Sequence, residues 1–382
     1  MNLVGKRLAV IGASYMAAIF IDKAKSMGIT TYCFAWEEGA VAKDHADIFF
    51  PISVMEKERI TNICNELKVD GVITTTEAPI ATCGYITEQL CLNGITYETA
   101  RCITNKFWVR EKARNCIIKQ PDYILIYEDN SDIAKEWHNY PAVAKPVNGG
   151  GKRGVIIVNN AEDVRQCVEY AKSYDRNDAG VLLEKLIAAG KEYSVEALSY
   201  NGKHQIIQIT EKISSGPPHF VELGHHQPAQ MCERMKQKVS LAICGLLDAV
   251  DYRNGSSHTE IKIVNDDVYL IELNARPGGD HIAAKLVELS TGYDYIGESI
   301  KVALNIEPSK YENKADRHAG VYFVTQQTAF LKPIFDSCDN EKWLYEKHIE
   351  SEELNELTHN DCLHTNYIIY CSNERVNLGA IL

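Results

Sequence analysis

Hydrophobic and polar positions follow two different rhythms along this chain. Up to about residue 105, short unbroken apolar runs are separated by stretches of helical period. Residues 8–11 (LAVI) form one such run and stop at the turn Gly12-Ala13-Ser14. The following "YMAAIFIDKAKSMG" has helical period and ends at Gly28, a residue suited to a helix C-terminus. "ITTYCFAW" is predicted as a second strand, "ERITNICNELKV" as an amphipathic helix, and "DGVITTTEAP" as a third strand ending in Glu77. Strands alternating with helices predict a parallel α/β sheet covered on both faces.

From Tyr140 the rhythm changes. "YPAVAKPVNGGGKRGVIIV" reads as strand, glycine loop, strand, with a helix over about 161–172. In "GVLLEKLIAAGKEYSVEALSYNGKHQIIQITEKI" the dipeptide Asn201-Gly202 marks a hairpin between two alternating strands. "RMKQKVSLAICGLLDAV" is a long helix, and "HTEIKIV", "NDD", "VYLIELN" is a further strand–turn–strand. Past about residue 310, "AGVYFVTQQTAFL" and "HTNYIIYC" read as strands of a small terminal unit. The expected division is an N-terminal α/β unit over 1–105, a region of strands and a helix over 106–190, an α+β unit over 191–310 and a small cap over 311–382. There is no internal repeat.

The chain has 382 residues, enough for two or three domains, and 45% of them are hydrophobic, enough for packed cores. A net charge of −12 argues against nucleic-acid binding, which needs a basic face. Twelve scattered cysteines without CxxC spacing fit reduced thiols rather than disulfides or zinc. No apolar run approaches the roughly 20 residues of a membrane helix, and the start of the chain enters a strand at once. The expectation is a soluble, cytoplasmic protein with neither nucleic-acid nor membrane partners.

In the second hairpin, a three-residue loop at Asn265, Asp266 and Asp267 sets Glu260 opposite Glu272. Alternation then places Glu260, Glu272 and Asn274 on one face, with Tyr269, Ile271 and Leu273 toward the core. Like charges so opposed destabilise a sheet, so the pair calls for a cation. Two carboxylates and an amide are hard oxygen donors suited to magnesium, and Arg276 offers a fork for a phosphoryl or carboxylate group. Upstream, Lys145 precedes the loop Gly149-Gly150-Gly151, whose N–H groups suit phosphates. No Ser or Thr follows Lys152, so this is no Walker loop, and the first turn lacks GxGxxG spacing. Residues 184–187 offer backbone groups to an adenine edge, and Glu192, on one strand face with Ser194 and Glu196, suits ribose hydroxyls.

Together these motifs resemble the ATP-grasp superfamily over nearly the whole chain. The resemblance implies an α/β and α+β protein, an ATP-grasp fold preceded by a parallel α/β domain. It implies Lys106 and Lys145 as nucleotide lysines, Gly150 and Gly151 at the phosphates, and Glu184, Lys185 and Ile187 at the adenine. It also implies Glu192 at the ribose, Glu260, Glu272 and Asn274 on Mg²⁺ or Mn²⁺, and Arg276 beside the transferred phosphoryl group. "ELGHHQPA" with "ELNARPGGD" looks most like the L-amino acid ligases. That likeness implies ATP-driven joining of a small carboxylate to an amine, with bicarbonate or formate activation as the alternative. It places His225 at the substrate end, with Gly279 and His226 as substrate residues beside it, His226 being equally a bystander, and implies a homodimer. His225 either orients a substrate carboxylate or takes a proton from the attacking ammonium. Glu77 faces the place of a substrate ammonium.

Overall fold

The computed structural model describes residues 3–127, 136–175, 179–359 and 362–379. The chain begins with β1 (Arg7–Ile11), α1 (Tyr15–Ser26), β2 (Thr30–Ala35), β3 (Ile48–Pro51), α2 (Lys57–Leu67) and β4 (Gly71–Ile73). Its four strands form a parallel sheet in the order β3-β2-β1-β4. Leu8, Ala9, Val10 and Ile11 are all fully buried, as a strand covered on both faces requires. Ser14 caps α1 by accepting from the Ala17 N–H (3.2 Å). The third expected strand is shorter than its apolar run: β4 stops at Ile73, because the Thr74 hydroxyl bonds the backbone of Thr76 and turns the chain toward Glu77. β3 was not expected from the sequence. Helices α3 (Ile80–Gln89), α4 (Tyr97–Ile103) and α5 (Lys106–Lys112) follow.

A second sheet, antiparallel in the order β5-β8-β6-β7, is built from β5 (Tyr123–Ile126), β6 (Ala142–Pro146), β7 (Ile156–Val158) and β8 (Val181–Lys185). α6 (Val164–Lys172) covers it with Val164, Cys167 and Ala171, one helical stripe.

The third sheet has eight strands in the order β13-β12-β9-β10-β11-β14-β16-β15. β9 (Lys191–Tyr200) and β10 (Lys203–Ser214) join at Asn201-Gly202, both in the left-handed region (φ 50° and 74°), the geometry of a type I′ turn. β11 (Glu222–Gln227) and the long α7 (Glu233–Ala249) lead to β12 (Gly255–Val264) and β13 (Asp267–Asn274). A π-helical turn (Ile282–Leu286) runs into α8 (Val287–Thr291), then α9 (Tyr295–Ala303), β14 (His318–Val324), α10 (Lys332–Ser337), β15 (Leu344–His348) and β16 (Asn366–Ser372). β14 pairs with β11, so residues past 310 continue the central sheet.

The β12–β13 hairpin reaches the expected pairing by a different route. Val264 pairs with Asp267, leaving a two-residue turn of Asn265 and Asp266, both with positive φ. A bulge follows: Ile261 pairs with Leu270, yet Glu260 pairs with Glu272. The extra residue restores the carboxylate pair and reverses the side-chain alternation below it. Val268 and Leu270, not Tyr269 and Ile271, join Leu273 under α7. Leu270→Ala should therefore destabilise the fold by about 2–5 kcal/mol, measured by denaturant unfolding. Ile271→Ala should cost well under half as much; equal losses would restore the unbulged register.

Candidate active site

Between the second and third sheets lies an open cleft. Its lining combines apolar side chains, Val143, Val155, Leu186, Ile187, Phe220 and Ile271, with the charged Lys106, Lys145, Lys152, Glu260 and Glu272. Ile271 reaches the cleft because of the bulge. The connection after β8 supplies Leu186 and Ile187 to this lining. The N–H groups of Lys185 and Leu186 bond Asp122 O (2.9 Å) and Pro141 O (3.0 Å). The Ile187 N–H has no protein partner among the described residues and stands at the cleft. Glu192 also lines the cleft, 3.4 Å from the Lys262 ammonium.

The Glu184 side chain is turned into the protein. Its side chain does not reach for a ligand; Oε1 accepts from Arg110 Nε (2.7 Å) and Oε2 lies 2.5 Å from Lys145 Nζ. Burial opposes its charge, but Arg110 and Lys145 outweigh that and draw its pKa down to about 2. Burial also lowers the Lys145 ammonium below its ordinary value, with Glu184 offsetting only part. Arg110 further donates to Ile271 O (2.9 Å), tying α5 to β13. Nothing in the sequence marked Arg110, a single arginine in a short amphipathic helix.

Glu260 and Glu272 face each other across β12 and β13, and each carries a lysine. Lys212 Nζ lies 2.6 Å from Glu260 Oε1 and 3.0 Å from Glu222 Oε1; Lys106 Nζ lies 2.8 Å from Glu272 Oε1. Burial works against the Glu260 charge, and Lys212 and His258 overcome it, holding the carboxyl well below its usual range. Lys106 also donates to Gly149 O, and Lys152 reaches Phe220 O and Glu222 (2.5 Å). The glycine loop is thus drawn onto the central sheet. Gly150 lies against Glu77, and a Cβ there would overlap that carboxylate. Gly149 and Gly151 have positive φ and open space around them. Lys152, Lys212 and Glu222 were missed in the sequence, since single charged residues on strands and loops leave no spacing signal.

Glu77 comes from the carboxyl edge of the parallel sheet and meets Arg276 Nη2 at 2.6 Å. Burial disfavours the Arg276 charge, but Glu77 more than compensates, raising its pKa. Gly279 has open space where a side chain would stand. His225 is fully buried, edge-on to Phe323, with Nε2 3.7 Å from Asp280 Oδ2. His226 is not brought to the cleft. Alternation along β11 turns it to the opposite face, where Nδ1 lies 2.9 Å from the Tyr370 hydroxyl and its ring packs on Tyr322. Asn274 is buried opposite His258, two residues beyond Glu272 on the same strand. Among the described residues no cluster of three or more His, Cys, Asp or Glu could hold a metal. The expected donor set is two carboxylates and an amide. Two carboxylates and an amide are hard oxygen donors of the kind a divalent cation takes, and each carboxylate is held by a lysine here.

Residues 138–285 match the ATP-grasp domain family. The "uncharacterized protein y4rH" of Sinorhizobium fredii is 27% identical over 241 residues, covering 62% of this chain and 49% of that protein. The chain thus spans about half the length of that relative. Among solved structures, an L-amino acid ligase from Bacillus licheniformis superposes with a TM-score of 0.78 at 22% identity, covering 98% of this chain and 95% of that one. An N5-carboxyaminoimidazole synthetase from Staphylococcus aureus, complexed with ADP, superposes with a TM-score of 0.75 at 16% identity, covering 98% and 95%. These likenesses establish the fold. No helix of the described residues is long and apolar enough to cross a membrane.

Removing the Glu184 charge leaves Arg110 and Lys145 buried without their counter-charge. Glu184→Gln should cost about 3–5 kcal/mol in unfolding free energy. Because the folded-state pKa is depressed, the contribution of this group is present above about pH 4.5 and is lost as pH falls toward 2. Acid titration of Glu184→Gln should show a correspondingly smaller stability loss over that range.

Proposed function

We propose that this chain, which carries an ATP-grasp domain within an ATP-grasp fold, is an ATP-dependent carboxylate–amine ligase. It joins two small molecules through an amide, a dipeptide in the reading we favour, and releases ADP and phosphate. The observation that carries this reading is the facing pair Glu260 and Glu272 at the floor of a cleft otherwise edged by lysines and a glycine loop.

Adenine fits against the apolar side chains beside the Ile187 N–H, and Glu192 accepts from the ribose. Lys106, Lys145, Lys152 and the N–H groups around Gly150 and Gly151 receive the phosphates. Glu260, Glu272 and Asn274 would hold Mg²⁺ or Mn²⁺, which when bound supplies charge neutralisation to the phosphates. Such a transfer needs alignment and electrostatic stabilisation more than covalent help from the protein. A substrate carboxylate oxygen attacks the γ-phosphorus; the bond to the β-phosphate oxygen breaks and ADP leaves. The amine nitrogen then attacks the acyl carbon of the acylphosphate, loses a proton, and inorganic phosphate departs. Arg276 faces the transferred group and then the tetrahedral oxyanion, while Glu77 receives the substrate ammonium. His225 and Gly279 border the acid. The net charge of −12 supports small-molecule substrates over nucleic acid.

The alternative acid is bicarbonate or formate, whose activation by ATP would use the same cleft. ADP and phosphate release from Mg-ATP, with products read by mass spectrometry, separates the two. Dependence on L-amino acids with dipeptide masses is expected. Turnover that waits for bicarbonate or formate would replace the amino acid reading. Glu272→Ala should lower turnover at least ~10²–10³-fold, as losses of transition-state charge stabilisation do, with the circular dichroism spectrum unchanged. Normal turnover by that variant would remove the metal assignment.

A further inference from the structure

Two groups behind the cleft have no part in that mechanism: Glu196 on β9 and His258 on β12. They pair across the sheet in register, and both are buried, Glu196 completely. Glu196 Oε1 holds His258 Nδ1. The other imidazole nitrogen, Nε2, points toward Glu260, 3.5 Å from Oε1. The second Glu196 oxygen, Oε2, accepts from the Gly278 N–H at 2.9 Å. Gly278 closes the turn after Arg276, and Arg276 Nη1 donates to Pro277 O (3.0 Å) within that turn. A Cβ on Gly278 would fall 2.5 Å from Glu196 Oε1 and 2.7 Å from His258 Nδ1, so the loop backbone rests directly on the pair.

One carboxylate and one imidazole therefore touch both halves of the transfer site: the carboxylate on β12 and the turn that carries the arginine. We infer that Glu196 and His258 form a strut that fixes the separation of Glu260 from the Arg276 turn. They are positioning residues for metal and phosphoryl group alike. Lys212 and His258 both approach Glu260 through Oε1, which leaves Oε2 as the oxygen available to a cation. Partners of this kind, one step removed from a metal, typically change affinity or activity by about 10–100-fold when lost.

This inference rests on the ligase reading, so its test uses binding as well as turnover. Mn²⁺ binding in the presence of ADP, followed by electron paramagnetic resonance, is measured for the full chain and three variants. His258→Asn retains a donor where Nδ1 stands but cannot reach Glu260; it should weaken Mn²⁺ about 10-fold or more. His258→Gln retains a donor near the Nε2 position and should recover most of that loss. Gly278→Ala sets a Cβ against both Glu196 and His258 and should lower kcat and weaken Mn²⁺ together, each about 10-fold or more. A merely structural pair would lower thermal stability in all three variants with Mn²⁺ affinity unchanged, or with no recovery in His258→Gln, and that result would overturn the strut. Absence of Mn²⁺–ADP binding by the unmodified chain would instead overturn the functional reading, and the strut with it. Unmodified binding shared equally by His258→Asn would sink the strut alone.

Discussion

Two carboxylates on neighbouring strands, Glu260 opposite Glu272, are the constraint around which the rest of this molecule is arranged. Cross-strand neighbours have Cβ atoms roughly 4.5–5.5 Å apart, and like charges at that spacing destabilise the sheet. Here they are also partly withdrawn from water, which makes each uncompensated charge more costly. The compensation comes from different parts of the fold. Lys212 arrives from β10, His258 from β12 itself and Lys106 from the first turn of α5. Arg276 is turned into the same region and is itself held by Glu77 from the parallel sheet. The hairpin thus gathers three structural units around one charge problem.

That arrangement also bears on how the cleft opens and fills. Lys106 and Lys152 link α5 and the glycine loop to the central sheet through ion pairs and backbone carbonyls rather than through apolar packing. In the proposed reaction, phosphates take up the same ammonium groups and the cation takes up the same carboxylates. Nucleotide and metal then replace a set of internal contacts that already have the right charges. Glu184 stands outside this exchange. Its pairs with Arg110 and Lys145 are buried and set where Lys145, one of the proposed nucleotide lysines, stands.

Much of this was legible in the sequence, for reasons that vary with the residue. The carboxylate pair could be read because a hairpin has few registers, although the true register combines a two-residue turn with a bulge. Two departures from the expected ladder cancelled, so Glu260 met Glu272 while Tyr269 and Ile271 left the core. The glycine loop announced itself through residues that tolerate positive φ. Strand alternation sends adjacent histidines to opposite faces, and sequence alone did not say whether His225 or His226 would turn toward Asp280. Lys212, Arg110 and the Glu196–His258 pair were illegible as partners. Their roles depend on contacts between strands and helices far apart in the chain, and a single charged residue on a strand more often faces solvent.

The central claim is that the cleft transfers the γ-phosphoryl group of ATP to a carboxylate. It is tested most directly by isotope transfer. The chain is incubated with Mg-ATP and L-amino acids carrying ¹⁸O in their carboxylates, and the released phosphate is analysed by mass spectrometry. An acylphosphate route moves one labelled oxygen from the acid into each phosphate formed with ADP. Unlabelled phosphate accompanying ADP, or release of AMP and pyrophosphate in its place, would contradict it.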